Sequence, residues 1–392
     1  MEINENNKEV QPFLYIITAF LYSVRENLFT GLFISRLLFV LFFAFSVYYF
    51  VNANKILHKN NVCRKLNLLV WLVCIYGLIF FISGTDYTWK RQTSAFFFLL
   101  NYLESILPIY AFYYFGHKGW IDGGWFKKNA VFFIVFAVCE FFFRGEKARF
   151  LSNSEEITNN ASYVVLSLFP VFAFYRKNTL LFFTLLLLSF LLVLSGGKRC
   201  AILLGCVCIF YTQLMAFKNV KKSKIIFVLI AYIIVFYIAW LFFNDLMENN
   251  RHFSRRIREI SEGEASNREV MYPLYFSFFL NSNLFHFIFG HCALGTCHYL
   301  GLMAHNDWLE MAINMGLLGF FSLLAYWISI YKLWLTKSRR IEREVILAMG
   351  LFVIIYFGKT MFSMSIMGMS IVATPVFGYC LSVYDVRNEL KS

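Results

Sequence analysis

Charge is scarce in this chain. Only 15% of its 392 residues are Asp, Glu, Lys or Arg, against ~25% in an average soluble domain. A soluble protein of this length would divide into two or three domains with polar surfaces and linkers. There is too little polar material here to make them, which excludes a soluble enzyme, a secreted disulfide scaffold and a disordered chain. Paired cysteine motifs are missing as well. None of the nine Cys forms a Cys-x-x-Cys, and most sit inside apolar blocks as small core residues do. No Asp-x-Asp is present to bridge a divalent cation; the nearest carboxylate pair, Glu262-Gly263-Glu264, lies in a charged segment and is expected to be solvated. Residues 1–10 are polar and acidic rather than basic, so no cleavable signal peptide is expected.

Apolar residues are abundant instead, at 59%, with 49 Phe, 23 Tyr and 8 Trp. They come in long blocks separated by short basic ones, the pattern of an all-α polytopic membrane protein. Twelve spans are predicted, at 12–24, 32–53, 66–82, 94–115, 129–143, 161–175, 179–194, 200–217, 225–243, 308–331, 345–357 and 363–383. The chain thus divides into residues 1–243 with nine spans, a connection at 244–307, and residues 308–392 with three spans. A net charge of +13 would suggest nucleic acid in a soluble protein. Here orientation in the membrane accounts for most of it, and no nucleic-acid partner is expected. Alternate connections hold Lys55, Lys59, Arg64 and Lys65; Lys118, Lys127 and Lys128; Arg176 and Lys177; Lys218, Lys221, Lys222 and Lys224; and Lys332, Lys337, Arg339, Arg340 and Arg343. With Lys8, Arg387 and Lys391 these are 21 of the 36 basic residues. The positive-inside rule then puts both termini in the cytoplasm and turns 244–307, the one long connection, outward. Long connections of this kind are usually functional. Within it, Ser266-x-x-Glu269 reads as a capping box opening a short apolar helix, kinked by Pro273 and lying at the interface.

Three basic features face outward in this topology. Ser195-Gly196-Gly197-Lys198-Arg199 joins two spans; its glycines allow a tight turn, and a helix restarting near Lys198 offers free amides beside two cations. That is an anion site, and Arg binds phosphate bidentately. Arg268 follows Ser266 in the first helical turn, where the helix dipole opposes a cation unless Glu269 or a ligand anion neutralises it. Ala304-His305-Asn306-Asp307-Trp308-Leu309-Glu310 opens a span, with Asp307 and Glu310 at capping positions. An imidazole there, with an ordinary pKa of ~6.5, suits proton transfer near neutrality. Glu104 and Glu140 fall within spans, so each should face a partner or a cavity. Cys292 and Cys297 lie in a turn-rich stretch; an oxidising compartment would permit a disulfide, and no metal is expected there.

The chain resembles the bacterial O-antigen polymerase and O-antigen ligase family. His305-Asn306, nine residues, then Gly316-Leu317-Leu318-Gly319 fits that family's His-[Asn/Ser/Gln]-x9-Gly-x-x-Gly signature. Ser195 to Arg199 resembles its Ser/Thr-x-x-Arg segment, and Asn267-Arg268-Glu269 with Phe287-Ile288-Phe289-Gly290-His291 resembles its Gly-Arg stretch and Leu-Phe-Gly turn. Departures at Lys198, Asn267, Cys292 and Phe320 set the chain further from the ligases than from the family.

The resemblance implies a GT-C-like glycosyltransferase of the bacterial inner membrane. It would transfer glycan from undecaprenyl diphosphate to the hydroxyl of a lipid-linked repeat unit on the periplasmic side, with no cofactor and no metal. Arg199 and Arg268 would clamp the diphosphate, His305 would act as general base, and Lys198, Asn306 and Glu310 would bind substrate. Expected partners are the undecaprenyl-diphosphate-linked oligosaccharide and membrane lipid, with a chain-length regulator protein as a further candidate. The alternatives are an O-antigen ligase acting on lipid A–core, a capsule or exopolysaccharide polymerase and, without catalysis, a polysaccharide transporter.

Overall fold

The structure, a computed structural model, describes residues 10–28, 32–57, 61–83, 95–152, 160–217, 268–335, 341–363 and 370–389, with scattered residues between 233 and 258. Among the described residues it is all helical. The helices are α1 (Val10–Leu28), α2 (Leu32–Ile56), α3 (Asn61–Ser83), α4 (Ala95–His117), α5 (Gly123–Lys128), α6 (Ala130–Ser152), α7 (Ser162–Leu166), α8 (Leu168–Phe172), α9 (Thr179–Ser195) and α10 (Arg199–Phe217). They continue with α11 (Arg268–Leu280), α12 (Leu284–Phe289), α13 (Gly295–Leu300), α14 (Asp307–Leu335), α15 (Arg343–Phe362) and α16 (Ala373–Glu389). Four of them, in α2, α3, α14 and α15, are long and apolar enough to cross a membrane. Their outward faces are apolar: Phe33 is 78% exposed, and Val40 and Tyr48 of α2 and Trp71 and Leu78 of α3 are exposed too. Such a surface suits lipid and would be an aggregation liability in water.

Most apolar blocks of the sequence become helices, and the differences have local causes. The block at 161–175 is broken into α7, α8 and a 3-10 turn. Pro170 has no amide proton to give the Leu166 carbonyl, so the helical ladder fails where α7 ends. These residues are buried from Ala161 to Phe174, which keeps the broken segment in the centre of the bundle. The block at 363–383 starts its helix only at Ala373, after Ser363 has capped α15. Most of 225–243 lies outside the described residues, as do Ser266 and Asn267. The connection before His305 is itself largely helical from Arg268 onward, and α11 runs through Pro273.

Helices from both ends of the chain pack together. α4 lies against α2, α3 and α16; α14 lies against α3 and α15; α15 also packs on α10 and α8. Aromatic stacking fills the centre, as between Phe352 and Phe377 at 3.9 Å and between Phe126 and Phe174 at 4.8 Å. α16 is tied to α4 by Tyr113, whose hydroxyl donates to Asp385. This arrangement fixes the last turn of α15, where the candidate site is built.

Candidate functional site

The last carbonyls of any helix lack partners within it. In α15 they are met by side chains from two separate segments. The Met361 carbonyl accepts from Asn306 Nδ2 at 3.1 Å and from the Tyr272 hydroxyl at 3.3 Å. Thr360 Oγ1 accepts from Trp308 Nε1 at 3.0 Å and donates to the Phe357 carbonyl. The start of α14 and the first turns of α11, which opens at Arg268, therefore sit on one helix end. The side chain of Arg268 lies outside the described residues.

The third motif reaches the same place through α7. The turn after α9 closes through Gly196 N to Val193 O and Gly197 N to Leu194 O, and α10 restarts with Ile202 N donating to Lys198 O. Lys198 and Arg199 are half-buried there. Gly196 packs so tightly that a Cβ would collide with the Ser162 hydroxyl and meet the Phe141 ring. The next residue, Tyr163, lies beneath the Lys359 ammonium, which is 5.0 Å from its ring centroid and 5.8 Å from that of Tyr356. Lys359 thus stands between the Arg199 turn and the His305 loop. Sequence reading did not single it out. The signal was a lone lysine between two apolar blocks.

Lys359 is only 5% exposed. Its ammonium faces the bundle interior, where a charge out of water is costly, and ring faces within ~6 Å of it offset part of that cost. Other buried polar groups include Glu140, Ser162, Asp307 and Glu310. Glu104 takes a hydrogen bond from the Tyr22 hydroxyl at 2.8 Å.

His305 is exposed and adopts a left-handed backbone, φ +51°, which is uncommon for a residue with a side chain. Glu310 holds it there. Its carboxylate, fully buried, accepts from the Ala304 amide at 2.6 Å, Thr296 Oγ1 at 2.8 Å and Asn314 Nδ2 at 3.0 Å, and the His305 amide also donates to it. Asn306 caps α14, with Oδ1 accepting from the Trp308 and Leu309 amides. The cap is therefore Asn306 rather than Asp307. A side-chain oxygen reaches the second and third amides of a helix only from the residue just before it. Asn306 and Glu310, both expected to bind substrate, direct these polar atoms at the protein and position His305. Glu310→Ala leaves four donors without their acceptor, at ~1.5–3 kcal/mol for a hydrogen bond to a charged group. The detergent-solubilised variant should lose both thermal stability and activity. Unchanged melting would refute this positioning role.

The Gly-x-x-Gly element has a structural cause. α14 is interrupted at Gly316, φ +65° and ψ −160°, because the turn after α12 crosses it there. Gly290, φ +80° and ψ −178°, lies backbone to backbone against it. A Cβ on Gly316 would collide with the Ile288 carbonyl and the Gly290 amide, and one on Gly290 with the backbone of Asn314 and Gly316. The freed carbonyls find donors: His291 N reaches Ile313 O at 2.8 Å, and the Tyr76 hydroxyl of α3 donates to Phe289 O and reaches Met315 O at 3.4 Å.

Beside this crossing the His286 and His291 rings stack at 4.3 Å. His286 Nδ1 donates to the Gly290 carbonyl, and His291 Nε2 pairs with Ser282 Oγ at 2.9 Å. Burial, and secondarily the neighbouring His286, pushes the His291 pKa down to about 4. An unfolded histidine titrates near ~6.5, so the unfolded chain binds more protons between those values and stability rises with pH across that window. Melting temperature should therefore fall as pH drops from about 6.5 towards 4. His291→Gln should flatten part of that fall; an identical pH profile in the variant would refute it. Among the described residues no group of three or more His, Cys, Asp or Glu is placed to hold a metal ion. Cys292 and Cys297 form no disulfide.

No protein-family model matches the chain, and no curated protein matches it either. The functional reading rests on the residues and their geometry.

Proposed function

We propose that this chain is a polysaccharide polymerase of the bacterial inner membrane, joining repeat units carried on undecaprenyl diphosphate at the periplasmic face. The reading takes all twelve apolar blocks as spans in a GT-C-like arrangement, with both termini in the cytoplasm. The observation that carries it is the last turn of α15. Segments opening with Arg268 and with His305 both hydrogen-bond to Met361 there, and the Arg199 turn joins them through Ser162, Tyr163 and Lys359.

The chemistry follows from the leaving group. A departing lipid diphosphate gains negative charge, and cations placed where that charge develops lower the barrier. Arg199 and Arg268 are assigned that role, with Lys198 beside them. His305 accepts the proton of the attacking sugar hydroxyl, or orients that hydroxyl for in-line attack. A single displacement inverts the anomeric centre. The arginines neutralise the diphosphate without a divalent ion, in keeping with a sequence that has no Asp-x-Asp. The apolar spans provide the surroundings for the polyprenyl tail.

Deletion of the gene, read on a lipopolysaccharide gel, tests the reading. Loss of a polymerase leaves lipid A–core bearing a single repeat unit. Bare core with polymer accumulating on the lipid carrier would mean an O-antigen ligase instead. An unchanged ladder with loss of capsule or exopolysaccharide would move the product to that glycan. No change in any surface glycan would remove the glycosyltransferase reading.

A further inference from the structure

α15 carries the candidate site at its last turn and borders a cavity at its first. The helix has 20 residues, so the two lie ~30 Å apart. The cavity has a volume of about 270 Å³ and is walled by the end of α4, by Glu342 just before α15, and by Tyr379, Ser382, Val383 and Val386 of α16. α4 and α16 meet closely because Gly116 has no side chain: a Cβ there would collide with the Ser382 hydroxyl. Tyr379 and Ser382 are buried, whereas Glu342 is exposed, so its carboxylate stands at the opening.

Basic residues outnumber acidic ones in this chain by 36 to 23, yet the described residues of the wall include a carboxylate and neither lysine nor arginine. Glu342 holds the N-cap position of α15, where a carboxylate ordinarily accepts from the first amides of its helix; this one makes no capping bond. Nearby cations are engaged elsewhere. Lys118 lies over the Tyr114 ring, 5.8 Å from its centroid, Arg343 is close enough to Arg176 for their charges to interact, and Lys177 pairs with Glu344 at 3.9 Å. His117 ends α4, where the helix dipole is negative, and its Nδ1 is buried with no hydrogen-bond partner. Ser382 gives its proton to the Tyr379 carbonyl at 2.7 Å and can otherwise only accept. Carboxylate, helix end and accepting hydroxyl all favour a cation that donates hydrogen bonds, and an aromatic ring such as that of Tyr379 favours one too. Pockets for drug-sized ligands run to ~300–1,000 Å³, so this cavity takes a small amine or a headgroup rather than a nucleotide.

We propose that this cavity binds a primary ammonium group, with Glu342 as its counter-ion and the end of α4 as a second source of negative potential. An ethanolamine lipid headgroup and a free soluble amine present the same chemistry. In the proposed topology the cavity faces the cytoplasm. Only its side of the membrane rests on that topology; ammonium binding is independent of the polymerase reading.

The test uses the full-length chain in detergent, titrated with phosphatidylethanolamine, phosphatidylcholine, phosphatidylglycerol and free ethanolamine, with bound ligand counted by native mass spectrometry. Phosphatidylethanolamine should bind at least tenfold more tightly than phosphatidylcholine, whose quaternary ammonium has no proton to donate. Glu342→Gln should weaken amine binding about tenfold, the scale of one charge-assisted hydrogen bond, and Glu342→Asp should restore part of it. Val386→Phe, which fills the cavity and leaves the carboxylate in place, should weaken it as well. Lipid binding that ethanolamine does not displace assigns the site to the headgroup. Displacement by ethanolamine, or binding of ethanolamine alone, assigns it to a soluble amine; either result supports the proposal. Equal affinity for the three lipids means annular contact only and overturns it. Tighter binding of phosphatidylglycerol, no binding of either amine, or wild-type affinity in Glu342→Gln or Val386→Phe overturns it too.

Discussion

On the proposed function, Arg199→Ala and His305→Ala should each reduce polymer to near absence while the protein still reaches the membrane. Removing one preorganised donor to a developing anion costs ~10²–10³ in rate, and removing a general base ~10²–10⁴. Neither change should unfold the chain, because Arg199 is half-buried at a helix start and His305 is exposed. Backbone strain at His305 has to be separated from chemistry, since its φ is +51°. His305→Asn does this: Asn tolerates left-handed backbone better than most residues and carries no titratable base. It should be as inactive as His305→Ala and at least as stable. Arg199→Lys retains charge but not the bidentate fork and should fall between wild type and Arg199→Ala. Transfer from a lipid-linked repeat unit by purified protein measures the rates, and the ladder in a complemented deletion strain measures the product. Full-length ladders from all the variants would end the catalytic assignment.

Gly316→Ala should collapse the fold around the His305 loop. The dihedral pair at Gly316 falls in a region nearly restricted to glycine, and the new methyl would meet backbone rather than a movable side chain. Left-handed strain contributes ~1–2 kcal/mol and displacement of a packed backbone a further ~1–3 kcal/mol. A total of roughly 2–5 kcal/mol is a large fraction of a typical domain's stability. Gly301→Ala is the control. It has φ +79° but no atom within 4 Å of a Cβ, so it feels strain without collision. Melting temperatures and membrane accumulation should drop sharply for Gly316→Ala and slightly for Gly301→Ala. Equal effects would mean that the crossing with Gly290 contributes nothing.

The two predictions separate what local pattern specifies from what packing specifies. Apolar blocks announce helices because a bilayer or a bundle core demands them, and α2, α3, α14 and α15 follow the blocks closely. The Gly196-Gly197 turn and the restart of α10 were equally legible, since turn and helix start depend on a few adjacent residues. The break inside 161–175 was not anticipated, although Pro170 marks it in hindsight.

The roles of Asn306, Glu310 and Lys359 were hidden for a common reason. Each depends on partners outside its own helix: Met361 for Asn306, Thr296 and Ala304 for Glu310, and Tyr163 for Lys359. Sequence alone determined that the chain is helical and apolar, and that Arg199, Arg268 and His305 stand at helix starts or just before one. Only the tertiary structure decided that the Arg268 and His305 segments share the last turn of α15, and that α7 lies between that turn, with its buried lysine, and the Arg199 turn. Periodicity reports the face of one helix, whereas convergence depends on how several helices pack, and contacts between distant residues leave no spacing to read.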